Sequence, residues 1–358
     1  MSTSDALTAV LDAHIEVARA DGSPFYVRLL KLMRDDAVSD GPTRTALAGH
    51  ERDRVDEWDS FRLLAGVHRM VLAGEANGLR AHYPSTGGDG DADAAWPAVR
   101  SLIEAASPEL LEALAHPLQT NAPSRAKALV GAFCYVAQHT AQPLRLLELG
   151  ASAGLNLRLD KFRYEQNGAT FGPRDSPVRF VDFLTGGMPP LAHGFEVAER
   201  SGCDLHPIDA TTEQGRLMLL ACVFPDETER FGLLDQAIEV ARATPAVVDR
   251  DDLGSWVATT LAESRRGVTT VVYHTIVWPY LSDDIRAAAE SAINAAGARA
   301  TADAPLALIA FEGAADDPGR TETRLTLWPS GDRRLLAFAS QHPTTVTWLD
   351  TAHEAPGI

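Results

Sequence analysis

Cysteine is scarce in this chain: three in 358 residues, Cys134, Cys203 and Cys222, an odd number with no close pairing. That spacing predicts neither a disulfide framework nor a zinc site, and a reducing, cytoplasmic compartment fits it. Long apolar runs are missing as well. The longest uncharged stretches, 128–144 and 267–282, are interrupted by Gln138, His139 and Pro143 and by His274 and Pro279, so neither is expected to span a bilayer. The opening MSTSDALTAVLDAHIE is polar and acidic, and no signal peptide is read in it. Basic residues are few: 32 Lys and Arg stand against 49 Asp and Glu, a net charge of −17. With no basic tail or stripe to release counterions from phosphates, nucleic acid is not an expected partner. The expectation is a soluble cytoplasmic protein acting on a small molecule, with no membrane partner and no resident metal. No pattern speaks to its oligomeric state.

What is present is ordinary for a globular chain, 45% apolar and 23% charged, and long enough for two domains. Residues 1–140 read as helical. Ser60 is placed to cap a helix over Phe61–Ala73 that is greasy on most sides, and Ser124 to open one in which Ala126, Val130, Phe133, Cys134 and Ala137 share a face. Between them, Pro84-Ser-Thr-Gly-Gly-Asp-Gly-Asp-Ala-Asp93 predicts a flexible loop. The character changes at Pro143. Strands are expected at 144–149, 195–200, 246–249, 268–277, 306–312, 323–328, 334–339 and 344–349, and Asn167-Gly168 marks a hairpin over 163–171. Helical patterns intervene at 211–223, 226–243, 252–263 and 283–296, the last opened by Asp283 and Asp284 and ended by Gly297. Alternating strands and helices followed by a strand-only run predict an α/β fold: a Rossmann-like, mostly parallel sheet with an antiparallel C-terminal edge over residues 141–358, preceded by an all-helical cover region over 1–140.

The most informative segment is Leu146-Leu-Glu-Leu-Gly-Ala-Ser-Ala-Gly-Leu-Asn-Leu157, a strand, a turn of tiny residues and a helix start. Tiny side chains let a ligand approach the backbone, and a helix N-terminus offers free N–H groups. The G-x-G-x-x-G dinucleotide pattern fits badly, because Ser152 and Leu155 stand where its later glycines belong. Gly150-Ala-Ser-Ala-Gly154 matches the G-x-S-x-G nucleophile elbow of serine hydrolases, with Ser152 as nucleophile and His274 or His342 as partner. The helical stretch before it and Glu148 beneath the turn argue against that reading. An acidic residue on the first strand followed by E/D-x-G-x-x-x-G is the first motif of class I methyltransferases, and Glu148-Leu-Gly-Ala-Ser-Ala-Gly154 matches it.

Together with this motif, several segments resemble the DUF2332 family of uncharacterised bacterial proteins, which are similar to class I methyltransferases. They are Gln119-Thr-Asn121 with Arg125, Asp160-Lys-Phe-Arg-Tyr164, Arg200-Ser-Gly-Cys-Asp204 with Pro207 and Asp209, Phe224-Pro-Asp226 with Glu229-Arg230, and Tyr273-His-Thr-Ile-Val-Trp-Pro-Tyr280. The chain departs from the family at Ala122, where an acid often follows the Gln-Thr-Asn segment. The resemblance implies a methyltransferase-like fold and S-adenosyl-L-methionine as cofactor, and it supplies no substrate.

On that implication the cofactor-binding candidates are Glu148, Gly150, Ala151, Ser152, Gly154 and Asn156 in the first motif. Asp204 and Asp209, with Glu199 behind them, are candidates for the ribose hydroxyls. Asp252, ahead of Asp251, is the candidate for the adenine amino group, or simply a helix N-cap. Gln119, Asn121 and Arg125 either bind a methionyl or substrate carboxylate or cap a helix. The fourth strand of such a fold ends beside the transferable methyl group, which makes His274 a candidate general base and Tyr280 a second catalytic candidate, with Thr275 and Trp278 nearby. The competing reading of His274 is a satisfied core histidine. The expected activity is methyl transfer to an O, N or S atom of a small molecule; the rivals are a binding or regulatory protein with the same fold and a serine hydrolase.

Overall fold

The computed structural model describes residues 3–48, 58–115, 117–119, 121–317 and 319–353. In chain order the helices are α1 (Thr3–Ala20), α2 (Pro24–Val38), α3 (Pro42–Ala46), α4 (Asp59–Ala73), α5 (Ala92–Ala105), α6 (Pro108–Ala115), α7 (Ala126–Thr140), α8 (Glu213–Ala221), α9 (Thr228–Ala243), α10 (Leu253–Thr260) and α11 (Asp283–Arg299). The strands are β1 (Leu144–Leu149), β2 (Arg163–Gln166), β3 (Ala169–Phe171), β4 (Arg179–Val181), β5 (Leu184–Gly186), β6 (Val197–Asp204), β7 (Val247–Arg250), β8 (Thr269–Thr275), β9 (Leu306–Gly313), β10 (Thr321–Trp328), β11 (Asp332–Ala339) and β12 (Val346–His353). The chain divides into two compact units, Met1–Thr120 with Thr212–Asp235 and Asn121–Thr211 with Gln236–Ile358.

The first unit is helical: among the described residues no strand precedes Leu144. Its core gathers Leu11, Leu29, Leu30, Met33, Leu64 and Val67, all fully buried. Pro24 at the first helical position and Ser23 as N-cap start α2, and Asp226 accepts from both Ser23 Oγ (2.5 Å) and the Phe25 N–H (2.9 Å). Helix α4 is buried on most sides, as its composition predicts. Its start differs from expectation: Trp58 in the left-handed region precedes Asp59, and Ser60 is buried inside the helix rather than capping it. The glycine-rich stretch after Tyr83 is also more ordered than its composition suggests. Pro84–Thr86 form a 3-10 turn, the N–H groups of Gly88, Asp89 and Gly90 return to the carbonyls of Tyr83, Ala81 and His82, and Asp91 caps α5.

The second unit is built on a nine-stranded sheet of order β5-β12-β11-β10-β9-β8-β1-β6-β7. Strands β7, β6, β1, β8 and β9 are mutually parallel, and β9 to β12 form an antiparallel meander with β5 parallel to its outer strand. Strands β1 and β8 are buried along their whole lengths, which is why they read as continuous apolar runs. One face packs Leu147, Leu149 and Val272 against Leu253, Trp256 and Ile293 of α10 and α11. The other carries α7, whose Phe133 meets Tyr273 edge to face at 5.2 Å. A small sheet, β3-β2-β4, holds the expected hairpin, with Asn167 and Gly168 both at positive φ as a type I′ turn requires.

Two helix ends were misplaced by pattern. Ser124 lies in a 3-10 turn, Pro123–Arg125, ahead of α7. Gly297 is inside α11, where a Cβ would meet the Trp328 ring at 2.5 Å; it is a packing glycine, not a terminator.

Candidate functional site

In the parallel half of the sheet the chain runs outward from β1 through β6 to β7 and then returns to the other side of β1 through β8 and β9. The order therefore reverses between β1 and β8, and open α/β sheets bind ligands outside the carboxyl ends of the two strands that flank such a point. Register sets what each strand delivers there: Glu148 pairs with Tyr273 and Gly202, and Leu149 with His274 and Cys203. Side chains alternate along a strand. Glu148 and Tyr273 therefore face α7, whereas His274 shares the face of Leu149, towards α10 and α11.

The glycine turn follows β1. Gly150, Ser152 and Gly154 have φ of +69°, +50° and +64°, a left-handed backbone that suits glycine and strains Ser152. A Cβ on Gly150 would come within 2.5 Å of Val277 Cγ2, so the turn closes directly on the loop after β8. The main chain is pinned to β6: Ala151 N–H donates to Cys203 O (2.9 Å), and Ser152 N–H to Asp204 Oδ2 (2.8 Å). The other oxygen of Asp204 accepts from His206 N–H at 2.8 Å. Buried Ala151 packs where Gly202 leaves room.

The α-helix expected after this turn is absent. Leu155–Lys161 is a 3-10 stretch with a break at Arg158. Arg158 supplies the reason: its Nη1 donates to Gly154 O at 2.6 Å, taking the carbonyl that its own backbone N–H would bond in an α-helix, while Leu157 N–H bonds the same oxygen at 3.1 Å. Asp160 is held bidentately by Arg200 at 2.6 and 3.1 Å, and Tyr164 donates its hydroxyl to Leu159 O at 2.9 Å.

Glu148 is 2% exposed. Burial pushes its carboxyl up to about 8, against the lowering influence of the Tyr273 hydroxyl beside it and of Arg158 and Arg125. The Tyr273 hydroxyl lies beside this carboxyl, and the Oδ1 of buried Asn156 has no hydrogen-bond partner among the described residues. Buried polar atoms left in that state mark places where a ligand or ordered water belongs.

The second strained position is Ile276, just after β8, at φ +52°. A β-branched residue in that region is a genuine outlier, and such strain gathers at functional sites. Glu312, at the end of β9, holds the turn: its Oε1 accepts from Val277 N–H at 3.1 Å and Trp278 N–H at 3.4 Å, and lies 2.7 Å from His274 Nδ1. Trp278 stacks on the imidazole at 3.9 Å between centroids. A proton held on Nδ1 by a carboxylate leaves Nε2 as the acceptor, the orientation a general base needs. Glu312 was missed by sequence reasoning, although Phe311-Glu312-Gly313, an acid closing a buried strand, has the form of Glu148 at the end of β1.

The remaining candidates are distributed as follows. Arg125 is buried and donates from Nη1 to Thr275 O at 3.1 Å, so it does reach the end of β8. Asn121 belongs to the same unit and has a buried Nδ2 without an acceptor among the described residues. Gln119 falls in the helical unit, where its backbone hydrogen-bonds the Cys222 thiol. Asp209 is exposed, and its carboxyl is held below the usual range by the Thr211 hydroxyl and N–H. Asp252 caps α10, accepting from Ser255 N–H at 3.0 Å. Asp251 accepts from Asp252 N–H, and Glu199 pairs with Arg145 at 3.2 Å. Tyr280 projects outward, 69% exposed. Among the described residues no cluster of three metal-ligating side chains occurs, and no helix is long and apolar enough to cross a membrane.

The sequence matches, over residues 11–348, the family described as uncharacterized protein conserved in bacteria, DUF2332. The chain belongs to that family. No curated protein and no solved structure matches it.

Proposed function

We propose that the crevice at the ends of β1 and β8 binds S-adenosyl-L-methionine and that the protein is a methyltransferase for a small molecule. The observation that carries this reading is the coincidence of the Glu148–Gly154 motif with the point where the strand order reverses. The flanking residues fit. On this reading Asp204, ending the neighbouring strand β6, stands where a carboxylate would take ribose hydroxyls, and Asp252 follows the next strand out. The buried oxygens of Glu148 and Asn156 suit a polar amino-acid portion. Two features depart from a methyltransferase pattern: a 3-10 stretch replaces the helix after the turn, and the antiparallel edge extends beyond a hairpin.

When bound, the cofactor would supply an electrophilic methyl group for in-line transfer. The chain's own contribution is position and proton management. Strained backbone at Ser152 and Ile276 brings the two loops into contact, and His274, fixed by Glu312, would take a proton from the acceptor at Nε2. Calorimetry with S-adenosylmethionine and S-adenosylhomocysteine tests the reading. Saturable binding of both supports it, and no heat at protein concentrations well above the micromolar range overturns it. Binding without transfer to any offered acceptor pool would favour the binding-protein rival.

The positive φ of Ser152 also suits a nucleophile elbow, which keeps the hydrolase rival open. A fluorophosphonate probe distinguishes it. Labelling at Ser152, lost in Ser152→Ala, would replace the methyltransferase reading.

A further inference from the structure

The helical unit contains a recess of its own, apart from the glycine-turn crevice. Its floor is one face of α4: Arg62, Ala65, Gly66 and Arg69, an i, i+3, i+4, i+7 set with small residues between two guanidinium groups. Ala113 of α6, Leu118, and Met218 and Ala221 of α8 give it largely apolar walls, around a volume of about 70 Å³ that is open to solvent. The close approach of helices that shapes it depends on Gly66, where a Cβ would meet Ala113 Cβ and Leu110 Cδ2 at 2.9 Å.

Arg62 is held by Asp59 at 3.1 Å from Nη1, yet its buried Nε has no acceptor among the described residues. Arg69 has a buried Nη2 in the same state; Glu112 stands 4.0 Å away, beyond hydrogen-bond distance. Buried guanidinium N–H groups lacking acceptors are costly and mark a place for an anion. The charged side chains lining the recess are Arg62, Arg69 and Glu112, with Asp59 beside Arg62.

We infer that this recess is a binding site for a small carboxylate with a short apolar tail, the tail lying between α4 and Met218 and the carboxylate pairing with the guanidinium groups of Arg62 and Arg69. A guanidinium matches a carboxylate in shape as well as charge. The small volume suits a short chain.

The test uses the full-length protein and a series of straight-chain carboxylates from acetate to decanoate, with the corresponding alcohols and amines, read by ligand-observed NMR and thermal shift. Affinity should rise from acetate to about hexanoate and then level off, and the alcohols and amines should bind at least tenfold more weakly than the matching acid. Arg69→Met should weaken hexanoate about tenfold. Met218→Trp, which fills the recess and leaves both arginines in place, should abolish binding while the protein stays folded by circular dichroism. Equal binding of acids and alcohols, affinity independent of chain length, or unchanged hexanoate binding in folded Met218→Trp would each overturn the proposal. So would failure of any carboxylate to bind the unmodified protein at millimolar concentration.

Discussion

One oxygen of Glu312 serves three donors at once: the His274 ring at 2.7 Å and the backbone N–H groups of Val277 and Trp278 that form the strained turn behind it. The carboxylate thus fixes both the tautomer of the histidine and the loop that meets the glycine turn. Glu312→Ala should release the Nδ1 proton, giving a mixture of tautomers in the ¹⁵N spectrum of His274 where the parent shows Nδ1–H alone. Loss of these bonds should also cost about 2–3 kcal/mol in urea unfolding. An unchanged tautomer would remove Glu312 as the group that positions His274.

The buried carboxyl of Glu148 predicts a specific pH dependence. Its folded-state value of about 8 lies above the ordinary 4.5, so between these values the folded protein retains a proton that the unfolded chain releases. That contribution is complete below about pH 4.5 and is lost progressively as pH rises to about 8. Glu148→Gln removes the titration and keeps the shape. Its stability relative to the parent should therefore improve with rising pH, by an amount on the order of a few kcal/mol between pH 5 and pH 8.5. Urea unfolding at the two pH values measures this, and a pH-independent difference would show that burial does not set the Glu148 proton affinity.

The outline of the sheet was legible in the sequence because β1 and β8 are short apolar runs bounded by turn residues, and because Asn167-Gly168 has few alternatives to a hairpin. The glycine turn was legible because five small residues, Gly150 to Gly154, follow a buried strand, and glycine admits the positive φ that such a turn needs. What followed it was not. Leu155–Lys161 has a helical composition, and only the folded position of Arg158, reaching back to Gly154 O, turns it into a 3-10 stretch. Ser60 and Ser124 misled as caps because any serine before an apolar run resembles one, whereas the real starts depend on Trp58 and on Pro123. Glu312 escaped because its partner His274 is 38 residues away, and no local spacing records a tertiary hydrogen bond.

The closure of the glycine turn on the loop after β8 can be tested at two positions with opposite expectations. Gly150→Ala places a Cβ against Val277 in a left-handed backbone and should destabilise the protein by about 2 kcal/mol or more. Ser152→Gly relieves a strained φ of +50° and should be neutral or stabilising by up to about 1 kcal/mol. Thermal unfolding of both variants decides it. A destabilised Ser152→Gly would mean that the serine side chain holds the turn more strongly than the backbone resists it.

The Arg200–Asp160 pair separates a structural from a ligand-binding role for the segment after the glycine turn. Both side chains are largely buried, and Arg200 Nη1 also donates to Leu157 O at 2.8 Å, anchoring the 3-10 stretch to β6. Removing the cation alone leaves a buried carboxylate whose counter-charge among the described residues is Lys161, 3.0 Å away and partly exposed. Arg200→Met should therefore cost roughly 3 kcal/mol, and adding Asp160→Asn to it should recover part of that loss rather than add to it. A double-mutant cycle in urea would show this as a coupling energy of about 1–3 kcal/mol. If instead Asp160 were reserved for a ligand, Asp160→Asn alone would leave stability unchanged and weaken binding of S-adenosylmethionine, and the two measurements on the same variants distinguish these outcomes.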